Sequence, residues 1–399
     1  MAHKVFVTEC NDYDDAQRGV EKILQMMGGI EGLVSEGEKL ALKVNLLRKA
    51  DPAEAVSTHP EIVCAVARSV SKAGASPLIV DSPGAGFKFT RRVLESIYDK
   101  NGMAGAAERS GAALNYDTSF KVVSFSEGKF LKRFEIIRAI ADADGVINLC
   151  KLKSHSFMHM TGAVKNCFGV IPGLMKPGYH AKLRDTDRFA EMLLDLVRLV
   201  SPRLSIMDAV VAMEGEGPST GTPRKTGLIL ASESPLALDI VAGEMIGLAP
   251  DMNPILRAAR RRDEPPFSMD HVELIGPGLE DIRISDFRFP DTIDAGIGMY
   301  SHLCWWRKIL QPTFKGTLSL RPVISRKRCA ACGACQRACP VHAISRSEGR
   351  GGAVFSIDEK SCIRCYCCHE MCPEGAIDLK GSLMYRITKL RRGFSEKRF

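Results

Sequence analysis

Cys329, Cys332, Cys335 and Cys339 are closed by Pro340, and Cys362, Cys365, Cys368 and Cys372 by Pro373, so one spacing, C-x2-C-x2-C-x3-C-P, occurs twice. The same 33-residue offset relates Ala343 to Ala376 and Ile344 to Ile377, which marks two copies of one half-module. Helical solenoids of similar period need at least three stacked units. Thiolates so spaced suit 4Fe-4S cubes, in which the first three cysteines of a run ligate one cluster and the fourth crosses to the other. The expected sets are therefore Cys329, Cys332, Cys335 and Cys372 on one cluster, and Cys362, Cys365, Cys368 and Cys339 on the second. The competing reading is a zinc ribbon, but ribbons separate their cysteine pairs by longer loops.

From about residue 322 to 380 the chain resembles the bacterial two-cluster ferredoxins. That resemblance implies a small α+β domain, two 4Fe-4S clusters and electron transfer. It departs at Cys367, a ninth thiol beside Cys368, read as a spare thiol packed near the cluster, with a ligand swap or a redox role as the alternative.

This module accounts for little of a 399-residue chain, whose length points to two or three domains. Of the 14 cysteines, the five outside the runs (Cys10, Cys64, Cys150, Cys167 and Cys304) lack metal spacing and read as small buried hydrophobes. The start, MAHKVFVTEC, has no basic-then-apolar signal region, and no apolar run approaches the ~18 residues of a membrane span. A cytoplasmic protein is expected, in keeping with thiols that favour a reducing compartment. The formal charge is +8; two cubes at about −2 each bring it to about +4. Much of the excess lies in the tail, where Arg386, Lys389, Arg391, Arg392, Lys397 and Arg398 face only Glu396. Such a tail is either a solvated terminus or a dock for nucleic acid, an anionic membrane or an acidic redox partner. The main body has no nucleic-acid fold motif, so no nucleic acid is expected there.

Upstream, β-branched runs at 39–47, 77–81, 145–151, 203–210 and 226–232 alternate with amphipathic segments at 60–73 and 186–200. This predicts an α/β fold, a mainly parallel sheet with flanking helices. Pro60 and Glu61 open the first helix, Ile62, Val63, Val66 and Val70 form its stripe, and Gly74 stops it. The expected domains are an α/β body at 1–300, a connector at 301–321, the cluster domain at 322–380 and a basic tail at 381–399. In the connector, Trp305 and Trp306 are expected to pin the cluster module to the body, with a membrane-interface anchor as the alternative.

Ligands of such sheets bind beyond the carboxyl ends of the strands. Lys43, Asn45, Asp81, Ser82, Lys151, Lys153, His155 and Asp208 fall at those ends. Two glycine-rich stretches fail their templates: DSPGAGFKF has Phe89 where a dinucleotide fingerprint wants a third glycine, and EGEGPSTGTPRKT has Pro223 and Arg224 before Lys225 and Thr226. Both read as plain loops. Residues 151–173 are denser, with Lys151, Lys153, His155, His159 and Lys165 and no acidic group, so a pocket for a carboxylate or phosphate ester competes with a solvated basic loop.

The segments LKVNLL, THPEIVCAVARSV, VDSPG, NLCKLKSHSFMHMTGAVKNCFGVIPG, MDAVVAMEGEGPSTG and PLALDIVAGEMIG together resemble the domain of unknown function 362 family, over roughly residues 3 to 300. That resemblance implies that Lys43, Asn45, His59, Asp81, Lys153, His155, Lys165, Asn166, Asp208 and Glu214 belong to a shared site or its scaffold, and gives none of them a chemical role. The expected function is an iron-sulfur oxidoreductase. Its clusters pass electrons from a soluble donor to a small anionic substrate, which Lys153, Lys165 and Lys43 hold. Asn45, His59, Asp81, Lys151, Asn166, Asp208 and Glu214 contribute to the substrate site. His155 is the candidate proton donor on the strength of a near-neutral pKa. The alternative is a non-catalytic electron carrier docking onto another enzyme.

Overall fold

The computed structural model describes residues 2–84, 86–290, 320–349 and 352–381. The expected connector, apart from Leu320 and Arg321, and the basic tail beyond Gly381 lie outside the described residues, as do Cys304, Trp305 and Trp306.

In chain order the body contributes strands β1 (His3–Glu9), β2 (Lys39–Lys43), β3 (Ser76–Val80), β4 (Ala113–Leu114), β5 (Phe120–Ser124), β6 (Arg133–Ile137), β7 (Gly145–His155), β8 (His159–Thr161), β9 (Leu204–Glu214), β10 (Thr222–Ser232) and β11 (Val272–Ile275). Apart from the β5–β6 ribbon they form one sheet in the order β11-β1-β10-β9-β7-β2-β3-β4, with β8 paired to β7. The pairs β1–β11, β2–β3, β2–β7, β3–β4 and β7–β9 are parallel. The pairs β1–β10, β9–β10 and β7–β8 are antiparallel. The sheet is thus mainly parallel, as expected.

Alternation along each strand feeds two apolar layers. Leu40 and Leu42 of β2 join a core with Val20 and Ile23 of helix Ala16–Met26 and Ile62, Val66 and Val70 of helix Pro60–Lys72. Ala41 turns to the opposite face, toward Phe189, Leu193 and Leu196 of helix Thr186–Val200. Each such side chain, fully buried, contributes about 1.5–3 kcal/mol. Helix Pro60–Lys72 begins at Pro60, with the His59 ring accepting the Glu61 N–H at 3.3 Å as its N-cap.

The C-terminal domain holds β12 (Arg321–Ile324), β13 (Ile344–Gly349), β14 (Gly352–Ile357) and β15 (Ile377–Lys380), with β12 paired to β15 and β13 to β14. Short helical turns span Ala334–Ala338 and Cys367–Glu370. The sequence duplication survives in three dimensions. Ala343 N–H donates to Cys339 Sγ and Ala376 N–H to Cys372 Sγ, both at 3.2 Å. The domain docks on the body where Ala338, Cys367 and Met371 pack against Leu47 and Phe87.

Candidate functional site

The carboxyl ends of β7, β2 and β3 lie side by side in the sheet, and a cavity of about 70 Å³ opens beyond them. The body lines it with Asn45, Asp81, Lys153, His155, Lys165 and Asn166, joined by Thr161, Lys176 and His180. On the opposite side it is closed by Glu370 and Met371 of the cluster domain.

Backbone structure sets most of these side chains. Lys153 and Thr161 face each other across the β7–β8 pairing. The short helix Ala163–Asn166 carries Lys165 and Asn166, and its first turn is pinned by Asp239, whose carboxyl accepts from Ala163 N–H at 2.5 Å and Val164 N–H at 3.1 Å. Gly162 must precede that turn, since a Cβ there would lie 2.0 Å from Asp239 Oδ1. Burial holds the Asp239 carboxyl up at about 7.

The three lining lysines and Lys43, which lies next to the lining residue Asp81, differ in how their charge is met. Lys43 Nζ lies 2.9 Å from Asp81 Oδ1. Lys153 donates to Asn45 Oδ1 at 2.9 Å and Val56 O at 2.6 Å. Lys176 donates to Ser82 O at 2.7 Å, Ser82 Oγ at 3.1 Å and Pro83 O at 2.6 Å, all neutral acceptors. Lys165 has no hydrogen-bond acceptor among the described residues and instead sits 4.9 Å above the Phe168 ring. Burial pushes the Lys153 ammonium well down, with Lys151, Lys165 and Arg48 adding repulsion, and brings Lys176 to about 7. Lys165 is lowered by burial too, with Glu370 as its main opposing charge.

His155 differs from expectation. Its Nδ1 accepts the N–H groups of Phe157 at 3.0 Å and Met158 at 3.2 Å, which leaves the proton of the neutral ring on Nε2. Burial, then Lys165 and His180, push its pKa well below the usual value. The near-neutral titration expected of His155 is therefore lost. A group near neutrality stands opposite it instead: Glu370, raised by burial to about 7, with Oε1 3.5 Å from His155 Nδ1. Among the described residues, Thr161 Oγ1, His180 Nδ1 and Glu370 Oε1 are buried without a hydrogen-bond partner. All three belong to residues lining this cavity.

Other expected site residues gather elsewhere. Lys151 donates to Asp208 Oδ2 at 2.7 Å and Tyr13 Oη at 2.8 Å, Tyr13 donates to Asp208 Oδ1 at 3.0 Å, and the His59 ring stacks on Tyr13 with centroids 3.4 Å apart. Glu214 pairs with Arg288 at 2.8 Å. None of His59, Lys151, Asp208 and Glu214 lines the cavity, and neither does Lys43, expected to hold the substrate, which instead pairs with the lining residue Asp81. His159 bonds through Nδ1 to Met252 O at 2.6 Å, outside the lining.

The residues that sequence reasoning missed are Lys176 and His180, just past the dense segment, and Glu370, hidden inside a cysteine run. A carboxylate between Cys368 and Cys372 was the one available signal. The two glycine-rich loops, read as plain, form the docking seam. A Cβ on Gly86, whose φ is +92°, would lie 2.8 Å from Ala338 Cβ. Ser219 Oγ donates to the Glu370 carbonyl, and Glu216 lies 3.4 Å from His369 Nε2.

The thiols fall into two groups. Cys339, from the first run, shares a small apolar cavity of about 20 Å³ with Cys362, Cys365 and Cys368 of the second. Cys335 feels Cys372 first among its thiol neighbours, then Cys329 and Cys332. This grouping fits iron-sulfur ligation by the two cysteine runs. Cys367 is buried against Cys365. No helix among the described residues is long and apolar enough to cross a membrane.

A family profile described as domain of unknown function (DUF362) matches residues 40–244, and one described as a 4Fe-4S dicluster domain matches residues 328–376. A thylakoid-associated protein of Synechocystis sp. is 36% identical over 304 residues, covering 73% of this chain and 87% of that protein. Among solved structures, the lactate racemase apoprotein from Thermoanaerobacterium thermosaccharolyticum covers 59% of this chain and 55% of its own, at 12% identity and a TM-score of 0.38. A protein from Thermotoga maritima covers 57% of each chain, at 13% identity and a TM-score of 0.35. The chain thus spans little more than half of either solved structure. With the profile on the body and the dicluster profile behind it, this chain belongs to the DUF362 family and carries a 4Fe-4S dicluster domain at its C-terminal end.

Proposed function

We propose that the protein is an oxidoreductase that reduces or oxidises a small anionic compound held in the cavity between the α/β body and the cluster domain. One observation carries the reading: Glu370 and Met371, in the stretch between Cys368 and Cys372, line the same cavity as Lys153, His155 and Lys165. In this reading two 4Fe-4S clusters, on Cys329, Cys332, Cys335 and Cys372 and on Cys362, Cys365, Cys368 and Cys339, supply one-electron steps when bound.

The chain's own residues then bind and orient. Lys165, without an acceptor among the described residues, takes an anionic oxygen; an ammonium–oxyanion hydrogen bond in a water-poor site is worth about 1.5–3 kcal/mol. Three lysines line the cavity, Lys153, Lys165 and Lys176, against Glu370 and an Asp81 already paired with Lys43, which leaves it short of negative charge and favours an anion. Thr161, His180 and Glu370 supply the remaining polar atoms, since each would otherwise stay buried and unpaired. His155 offers its Nε2 proton as a neutral donor, and Glu370 replaces it as the group that exchanges a proton with the ligand. A volume of about 70 Å³ corresponds to roughly five water positions, so the ligand is small.

Anaerobic purification with iron and sulfide analysis, paired with mass spectrometry of small molecules released on denaturation, tests this. About eight irons and one retained small anion are expected. An iron-loaded protein that retains no anion and binds none in the cavity would instead support the non-catalytic carrier.

A further inference from the structure

Among the eight cysteines of the two spaced runs only Cys332, in the first, is exposed; Cys329, Cys339, Cys362 and Cys365 are half-buried, and Cys335, Cys368 and Cys372 are buried. Between Arg321 and Arg337 there are five basic residues, Arg321, Arg326, Lys327, Arg328 and Arg337, and no acidic one. All five are exposed. Arg321 is paired with Glu359 at 2.9 Å, and Arg328 is paired with Asp378. Arg337 holds the outward turn by donating to Cys332 O at 3.0 Å. Arg326 and Lys327 have no carboxylate partner among the described residues.

We propose that this basic rim around Cys332 is the docking surface of an acidic one-electron carrier protein. The inference rests on the reading above that Cys329, Cys332, Cys335 and Cys372 hold a cluster. A carrier must bring its own redox centre close to an exposed ligand, and the rim surrounds the run whose ligand is exposed. An anionic membrane would match the charge but has no use for the exposed cysteine. Electrons then enter at this run and leave at the other, whose Cys365 packs with Cys367 and Met371 against Leu47 and Phe87 at the body. Each transfer oxidises the carrier by one electron and reduces one cluster by one electron, with no bond made or broken and no proton moved. Opposite charge on the two surfaces steers the encounter and makes its rate salt-dependent.

The test uses the full, anaerobically reconstituted chain and stopped-flow reduction by a reduced two-iron ferredoxin of strongly negative charge. For the Arg326→Glu, Lys327→Glu variant the rate should fall about tenfold at low salt, and its decline with added salt should disappear. Reduction by dithionite and the iron content should stay at wild-type values, which separates lost docking from lost clusters. Should that variant load poorly, Arg326→Gln with Lys327→Gln should give a smaller fall in the same direction. Equal rates for wild type and variant, or a wild-type rate indifferent to salt, would overturn the proposal. So would loss of binding to phosphatidylglycerol vesicles with an unchanged rate from the carrier, which would assign the rim to a membrane surface instead.

Discussion

The two cysteine runs share a spacing and a backbone hydrogen bond to their last sulfur, yet they occupy opposite environments. Ala343 serves Cys339 as Ala376 serves Cys372. Between the ligands the first run carries Ala330, Ala331, Gly333, Ala334, Gln336, Arg337 and Ala338, and the second carries Ile363, Arg364, Tyr366, Cys367, His369, Glu370 and Met371. In the first run Ala330, Ala331 and Cys332 are exposed and Ala338 meets the body, whereas Cys367, His369, Glu370 and Met371 of the second are all buried. His369 is held by Ile377 O at 2.6 Å and lies near Glu216; burial alone would lower its pKa, but these partners raise it. The spacing of the cysteines sets which metal group is held. The residues between them decide which half faces solvent and which closes a cavity.

The sharpest way to break this contrast is to remove one ligand from each half. Cys365→Ser and Cys332→Ser should each lower the iron content from about eight toward about four. Cys365→Ser should also cost the retained anion, because Cys365 packs on Met371 at the cavity wall, while Cys332→Ser, which reaches that wall only through the shared ligand Cys372, should cost less of it. Iron analysis with mass spectrometry of released ligand reads both, and equal ligand loss would erase the distinction between the halves. Next in size is Lys165→Met. Losing an unshared ammonium from the cavity should weaken binding of the retained anion by about 100-fold, or about 2.7 kcal/mol, with Lys327→Met unchanged in the same calorimetric titration.

Gly86→Ala probes the seam itself. A Cβ at φ +92° and 2.8 Å from Ala338 Cβ has to displace the docked domain or strain the loop, at about 1–3 kcal/mol. Gly111, at φ +74° with nothing within 4 Å of an added methyl, meets only the conformational cost of about 1 kcal/mol on substitution by Ala. Hydrogen exchange over residues 320–349 and 352–381 should speed up for Gly86→Ala and not for Gly111→Ala.

How much of this was legible depended on sequence distance. Strands β2, β3, β7, β9 and β10 announce themselves as β-branched runs, and helix Pro60–Lys72 by its stripe and its Pro60 start, because these signals lie within a dozen residues. Lys153, Asn45 and Asp81 are legible from strand ends, Lys165 from the dense basic segment and Asn166 from the family resemblance, and all five meet at the cavity. The seam was not legible. Ser219 and Glu370 are 151 residues apart, and nothing local to either distinguishes a hydrogen bond to a backbone carbonyl from a solvated hydroxyl. The proton-donor reading of His155 failed for a related reason. Its pKa depends on Lys165, His180 and its own burial, and burial is a property of the whole fold.

The smallest effect concerns His180, which faces the half that closes the cavity. Burial, with Lys165 adding repulsion, lowers its pKa to about 3, so the folded chain keeps this ring neutral down to that pH. The unfolded chain takes up the proton near the ordinary value of about 6.5. Between those two values the unfolded state binds more protons, so stability rises with pH across the window and falls on acidification. From pH 7.5 to 5.5 this one residue should cost about 1.4 kcal/mol, and His180→Gln should remove that share. Denaturant unfolding of both proteins at the two pH values isolates it, because the remaining groups cancel in the difference. Parallel pH curves would mean that His180 carries a proton in the folded state. A saturating anion beside Lys165 would offset that ammonium's repulsion and move the ring's pKa upward, so adding the retained anion should shrink the difference.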